Sequence, residues 1–186
     1  YYQRALKFDN GQSTALIEQK IAMSQMMADS DTWDRFLSTG DSPTTPKQQV
    51  AFARYCYEKK EFQRATEEYQ AMFFANPSDE SGLGYDAACC AILASVAQES
   101  PDHEPNPMTI EVSTKFRSQA LSWLQRQLET ILKQSDSNAT KSLNHWLVDV
   151  DLQSVRDESK LNLLSDDERK EWKSFWSKVR KAIAME

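Results

Sequence analysis

The chain has 186 residues, of which 40% are hydrophobic and 27% charged, a balance that suits a folded domain with a sizeable core and argues against disorder. A formal net charge of −6 and a pI near 5.1 disfavour nucleic acid or an anionic membrane as the main partner, because both need a basic face. The longest near-apolar run, Ala87 to Ala97, is too short to cross a bilayer, and three cysteines, two of them adjacent, do not make a disulfide framework, so a reducing, cytoplasmic setting is expected.

Strand alternation is absent and helix punctuation recurs, which predicts an all-α chain. Tyr1 to Asp9 reads as the closing half of a helix, so the chain is expected to be a piece cut from a longer protein. Ser13 to Met27 carries Leu16, Ile17, Ile21, Met23 and Met27 at roughly helical spacing. Asp31 is placed to cap a short helix through Trp33, Phe36 and Leu37 that ends before Gly40, and Ser38 to Thr44 reads as a linker. Thr45-Pro46-Lys47-Gln48 then opens a helix with a capping-box pattern and a proline at its first position.

The next predicted helix, Tyr85 to about Ala97, is rich in small residues, as a helix gripped on two sides should be. Its partner runs from about Glu111 to Lys133, with Ala120, Trp123, Leu124 and Leu128 on one face, and the proline-containing segment 98–110 between them reads as a loop. Asn138 to Val148 is a short helix and Asp149 to Asp157 a turn-rich joint, in which Asp151 can cap a turn and Arg156 can pair with a carboxylate. Ser165 to Ala184 is a terminal helix with a Ser165–Glu168 capping box and an apolar stripe of Trp172, Phe175, Trp176, Val179 and Ile183.

The stretch Pro46 to Pro77 aligns without a gap on the helix–turn–helix pattern of a tetratricopeptide repeat: Gln49-x2-Phe52-Ala53-x2-Cys56, then Ala65-x3-Tyr69, then Pro77. Ala53 and Ala65 are small where two helices must cross closely, and Pro77 stops the second. The pattern departs at Gln49, where Trp is usual, and at Lys60, where Gly is usual. Tyr85-Asp86-Ala87-Ala88-Cys89 with Ala120-Leu121-x-Trp123-Leu124 is similar to a second repeat, its small residues Ala88 and Ala120 separated by an insertion.

With Arg117, the His145-Trp146 to Asp157 joint and the Leu161 to Val179 helix, the chain resembles the C-terminal region of tetratricopeptide-containing serine/threonine protein kinases of planctomycete-type bacteria. The resemblance implies an α-solenoid fragment: the end of a preceding repeat and connecting helices in 1–45, two repeats in 46–134 and a helical capping subdomain in 135–186. It also implies a non-catalytic protein-interaction or scaffolding role in signalling. The kinase domain of such proteins is not in this chain, which has no Gly-rich phosphate loop, H-R-D or D-F-G motif.

In this repeat class the first helix of each pair lines a concave face. Val50, Arg54, Tyr57 and Glu58 lie on the first helix of one pair, and Tyr85, Asp86 and Cys89 on that of the next; these are the expected contacts to a protein or peptide partner. Neither helix offers the Asn that a carboxylate clamp uses. Zinc on Cys56, Cys89, Cys90, His103 and His145 would want separated cysteine pairs, so cysteines acting as small core hydrophobes are the simpler reading. A Cys89–His145–Asp149 nucleophile arrangement depends on whether those residues meet. No catalytic residue, cofactor or metal is assigned, a monomer is favoured, and the rivals are a purely structural cap and a helical hydrolase using buried acids.

Overall fold

In the computed structural model the described residues are 30–98, 107–134 and 139–184, and the helix expected over Ser13 to Met27 lies outside them. Every regular element among them is helical, with no strand. The chain divides into two compact units, Tyr1–Lys60 and Glu61–Glu186.

The first unit holds α1 (Ser30–Thr39) and α2 (Pro46–Glu58). Asp31 does not precede α1 but sits in its first turn, where a carboxylate favours the positive end of the helix dipole. Gly40 closes α1 with φ +77° and donates its N–H to the Phe36 carbonyl at 3.0 Å, so the helix runs two residues into the expected linker. α2 starts as its capping box requires: the Gln48 N–H reaches Thr45 Oγ1 at 3.4 Å, and that hydroxyl donates to Gln48 Oε1 at 2.8 Å. Trp33, Phe36 and Phe52 form a three-ring cluster with centroids 5.5–5.9 Å apart. Ala53 and Cys56 are fully buried, as is Phe52.

α2 ends with Lys60 at φ +65°, its N–H bonded to the Tyr57 carbonyl at 2.9 Å. The left-handed turn that usually recruits glycine is thus formed here by a lysine.

In the second unit α3 (Phe62–Ala75) buries Ala65, Tyr69, Met72 and Phe73 and stops before Pro77, as expected. A 3-10 turn, Pro77–Asp79, leads straight into α4 (Glu80–Gln98), and α5 (Pro107–Gln134) follows. Both helices start earlier than their sequence suggests. The turn after Pro77 passes into helix without a linker, and Pro107, read as part of a loop, is already helical. Of the expected loop 98–110, residues 107–110 are therefore helical, and 99–106 lie outside the described residues.

α4 and α5 are antiparallel: Ser113 Oγ, near the start of α5, donates to the Ser95 carbonyl, near the end of α4, at 3.1 Å. Seven residues back along α4 and seven on along α5 bring Ala88 level with Ala120, and both are fully buried. The two side chains that the sequence offered as a small pair thus both lie in the interior.

Beyond α5 come α6 (Ala139–Trp146), a 3-10 helix over Val150–Val155, the one-turn α7 (Glu158–Leu161) and α8 (Asp166–Ala184). α8 begins with its expected capping box, the Glu168 N–H meeting Ser165 Oγ at 3.4 Å. Glu168 also takes the Arg117 guanidinium with two bonds, 2.8 and 3.3 Å, tying α8 to α5. Trp172, Phe175, Trp176 and Val179 are all buried, and the Trp176 indole donates to the Val155 carbonyl at 2.7 Å.

Candidate functional site

The second unit carries a groove of about 570 Å³ where α4 begins, α5 ends and α6 crosses them. Gly82 on α4 and Gln127 on α5 both line it, and the glycine leaves open space that a larger residue would occupy. α4 supplies Tyr85 and Asp86 to the wall, α5 supplies Gln127 and Ile131, and α6 supplies Lys141 and His145 four residues apart on one face.

Tyr85 anchors the wall. Its ring lies flat on Trp146, centroids 5.4 Å apart and planes 10° apart, with the His145 ring 5.8 Å away. Its hydroxyl donates to Asp149 Oδ2. Burial, then the neighbouring Cys89 and the bond to Asp149, push the Tyr85 hydroxyl far above its ordinary pKa, so it is a fixed donor.

Asp149 joins the groove to the joint behind it. Oδ2 takes Tyr85 and lies 3.4 Å from His145 Nε2, while Oδ1 accepts the Asp151 N–H at 3.0 Å and caps the 3-10 helix. The expected capping residue, Asp151, is therefore the capped one: Asp149 holds the extended backbone conformation that a cap requires. Arg156 pairs with Asp157 at 3.3 Å, as expected, and also donates to the Trp146 carbonyl at 3.2 Å and the Asp149 carbonyl at 2.5 Å. One guanidinium thus fixes the end of α6 against the joint.

Cys89 lies one turn beyond Tyr85 and is buried. Its thiol and the carboxylates of Asp149 and Asp151 have ligand atoms within 4.8 Å of one another, a spacing at which a cation could be held. The donor set does not suit one. Burial raises the Cys89 thiol well above its ordinary pKa, reinforced by Asp149, Asp151 and Asp86, and both Asp149 oxygens already serve Tyr85 and Asp151. The same shift bears on a Cys89–His145–Asp149 arrangement. His145 and Asp149 do meet, but a thiol held protonated is a poor nucleophile. Of the remaining imagined zinc ligands, Cys56 belongs to the other unit and His103 lies outside the described residues.

The residues picked from sequence fall into two groups, one per unit. On α2, Arg54 and Glu58 are exposed and Val50 and Tyr57 half-buried. On α4, Tyr85 and Asp86 are half-buried and line the groove, whereas Cys89 supports the wall from behind. Gln127, Ile131 and Lys141 were not singled out. Their only signal is register: Gln127 follows Ala120 by two helical turns, and Lys141 precedes His145 by one.

Among the described residues no helix is long and apolar enough to cross a membrane. Compared with known proteins, the chain matches no family model, no curated protein and no solved structure at a significant level.

Proposed function

We propose that this chain is a non-catalytic protein-interaction module built from tetratricopeptide-like helix pairs, and that it holds a segment of a partner protein in the groove between α4, α5 and α6. The observation that carries this reading is that no residue of α8 lines the groove, so the terminal helix packs alongside without filling it. A purely structural cap would have closed that space.

Further support comes from the full burial of Ala88 and Ala120 and from the left-handed turn at Lys60, the place where the repeat pattern wants glycine. On the resemblance drawn from its sequence, the module serves a serine/threonine-kinase-related bacterial protein in the cytoplasm, bringing partners to it as a monomer. Three buried cysteines outside any disulfide are consistent with a reducing compartment.

The test is selection from a displayed random-peptide library. Enriched peptides are expected to lose binding to Asp86→Ala and Ile131→Ser variants whose melting temperatures stay near the parent's. Enrichment that ignores both substitutions, or no enrichment at all, would end this reading.

A further inference from the structure

Apart from the groove, we infer that the outward face of α8 is a second interaction surface, suited to an acidic segment of a partner protein lying along the stripe from Lys170 to Lys181. Two observations and one comparison of occupants carry it.

First, the charge of the chain is segregated. Its net −6 is the sum of two opposite parts: residues 170–186 hold five cations and two acids, a local charge of +3, which leaves −9 for the rest. Lys170, Lys173, Lys178, Arg180 and Lys181 are all exposed, and at about 100° per residue they fall on the side of α8 away from the buried Trp172, Phe175, Trp176 and Val179. Ser174 and Ser177, also exposed, lie among them and add hydroxyl donors without charge.

Second, the two halves of the helix treat their cations differently. In the first half each has a carboxylate: Arg169 is bonded to Asp166, Lys170 lies 3.5 Å from Asp167, and Lys173 lies 2.6 Å from Glu158. In the second half Lys178, Arg180 and Lys181 have no ion pair among the described residues. The helix dipole favours a cation only near its C-terminal end, and Lys181 alone lies in the last turn. The remaining like charges repel one another until an acid arrives.

The shape of the stripe selects the occupant. From Lys170 to Lys181 it runs about 16 Å, the reach of about five residues of extended chain, so a short acidic segment can follow it and touch little else. An anionic bilayer suits it less. The apolar side chains of α8 are spent in the core, leaving none to insert, and an extended anionic sheet would also meet the repulsion of a chain that is otherwise acidic.

The experiment titrates the whole chain with a hexaglutamate peptide, and with hexaglutamine as the uncharged control, following backbone amide shifts by NMR. Saturable shifts confined to α8 are expected for glutamate alone, weakening as salt is raised from about 0.05 to 0.3 M. The triple variant Lys178→Ala, Arg180→Ala, Lys181→Ala should bind about tenfold more weakly, the factor that three exposed ion pairs of ordinary strength supply together. A second triple variant, Lys47→Ala, Lys60→Ala, Lys133→Ala, has the same net charge and should bind within about twofold of the parent.

Equal weakening by the two triple variants, equal binding of the two peptides, or shifts spread over the whole surface would overturn the inference. The shifts of the parent chain locate the contact by themselves, so a variant that misfolds does not remove the test. Vesicles containing phosphatidylserine, sedimented with the chain, provide the remaining arm: binding to them without any shift from hexaglutamate would overturn the acidic segment in favour of a lipid surface.

Discussion

Two seams in the second unit are built on opposite principles. Around α4 the contact is made by what is missing: Ala87, Ala88, Ala91 and Ala94 on α4 and Ala120 on α5 leave room for close approach, and all five are buried to 1% exposure or less. Where α8 meets α6 and the joint, the contact is made by bulk. Trp146 stacks on Phe175 at 6.3 Å, Phe175 meets Trp172 and Trp176 edge-on at 6.0 and 5.0 Å, and Trp176 is bonded to the backbone beneath it. The first seam should resist additions and the second deletions, because close-packed interiors tolerate neither overfilling nor voids.

The largest effect should come from emptying the bulky seam. Trp176→Ala is expected to cost about 3–5 kcal/mol in chemical denaturation, as large aromatic truncations in cores do. Trp176→Phe should cost clearly less, since it keeps most of the packing and loses the bond to Val155. A small loss for Trp176→Ala would mean that α8 is a loosely held appendage.

Next comes overfilling of the small seam. Ala120→Leu should destabilise the chain by about 1–3 kcal/mol. Leucine at exposed Ala184 on α8 should change stability by less than about 0.5 kcal/mol, the usual range for surface positions. Equal tolerance of leucine at both positions would show that α5 is not closely packed at Ala120.

The smallest effect lies outside both seams and carries the opposite sign. Lys60→Gly should raise stability by up to about 1 kcal/mol, because a side chain in the left-handed region costs about 1–2 kcal/mol and glycine gives back part of this in unfolded-state entropy. A decrease in melting temperature would show that the lysine side chain makes a compensating contact.

What could be read from the sequence follows the range of the forces involved. Caps depend on residues three apart, so the Thr45–Gln48 and Ser165–Glu168 boxes were legible and are formed. Of the expected core, Trp172 and Trp176 follow from periodicity and Phe52, Ala53, Ala65, Tyr69, Ala88 and Ala120 from the repeat pattern that the sequence resembles; all are buried, as is Leu124. The starts of α4 and α5 were misplaced because proline was read as a break, whereas helix follows closely on Pro77 and includes Pro107.

The one-turn α7 is too short for periodicity to reveal. The groove is harder still. It depends on Gly82, Gln127 and Lys141 arriving together from three helices, and no local pattern encodes that register. Of its lining, Tyr85 and Asp86 were picked out as partner contacts and His145 as a possible ligand or base.

The placement of the three cysteines gives the molecule its own clocks. One thiol, Cys56, sits in the first unit, and two, Cys89 and Cys90, sit in the second, all of them outside any disulfide and buried. A thiol-specific reagent can reach each only when the structure around it opens, so its alkylation rate reports the opening frequency of that unit alone. Mass spectrometry of the modified peptides would follow the two units separately in one tube. Because Cys89 lies directly behind Tyr85, an occupant of the groove should slow its labelling while leaving that of Cys56 unchanged.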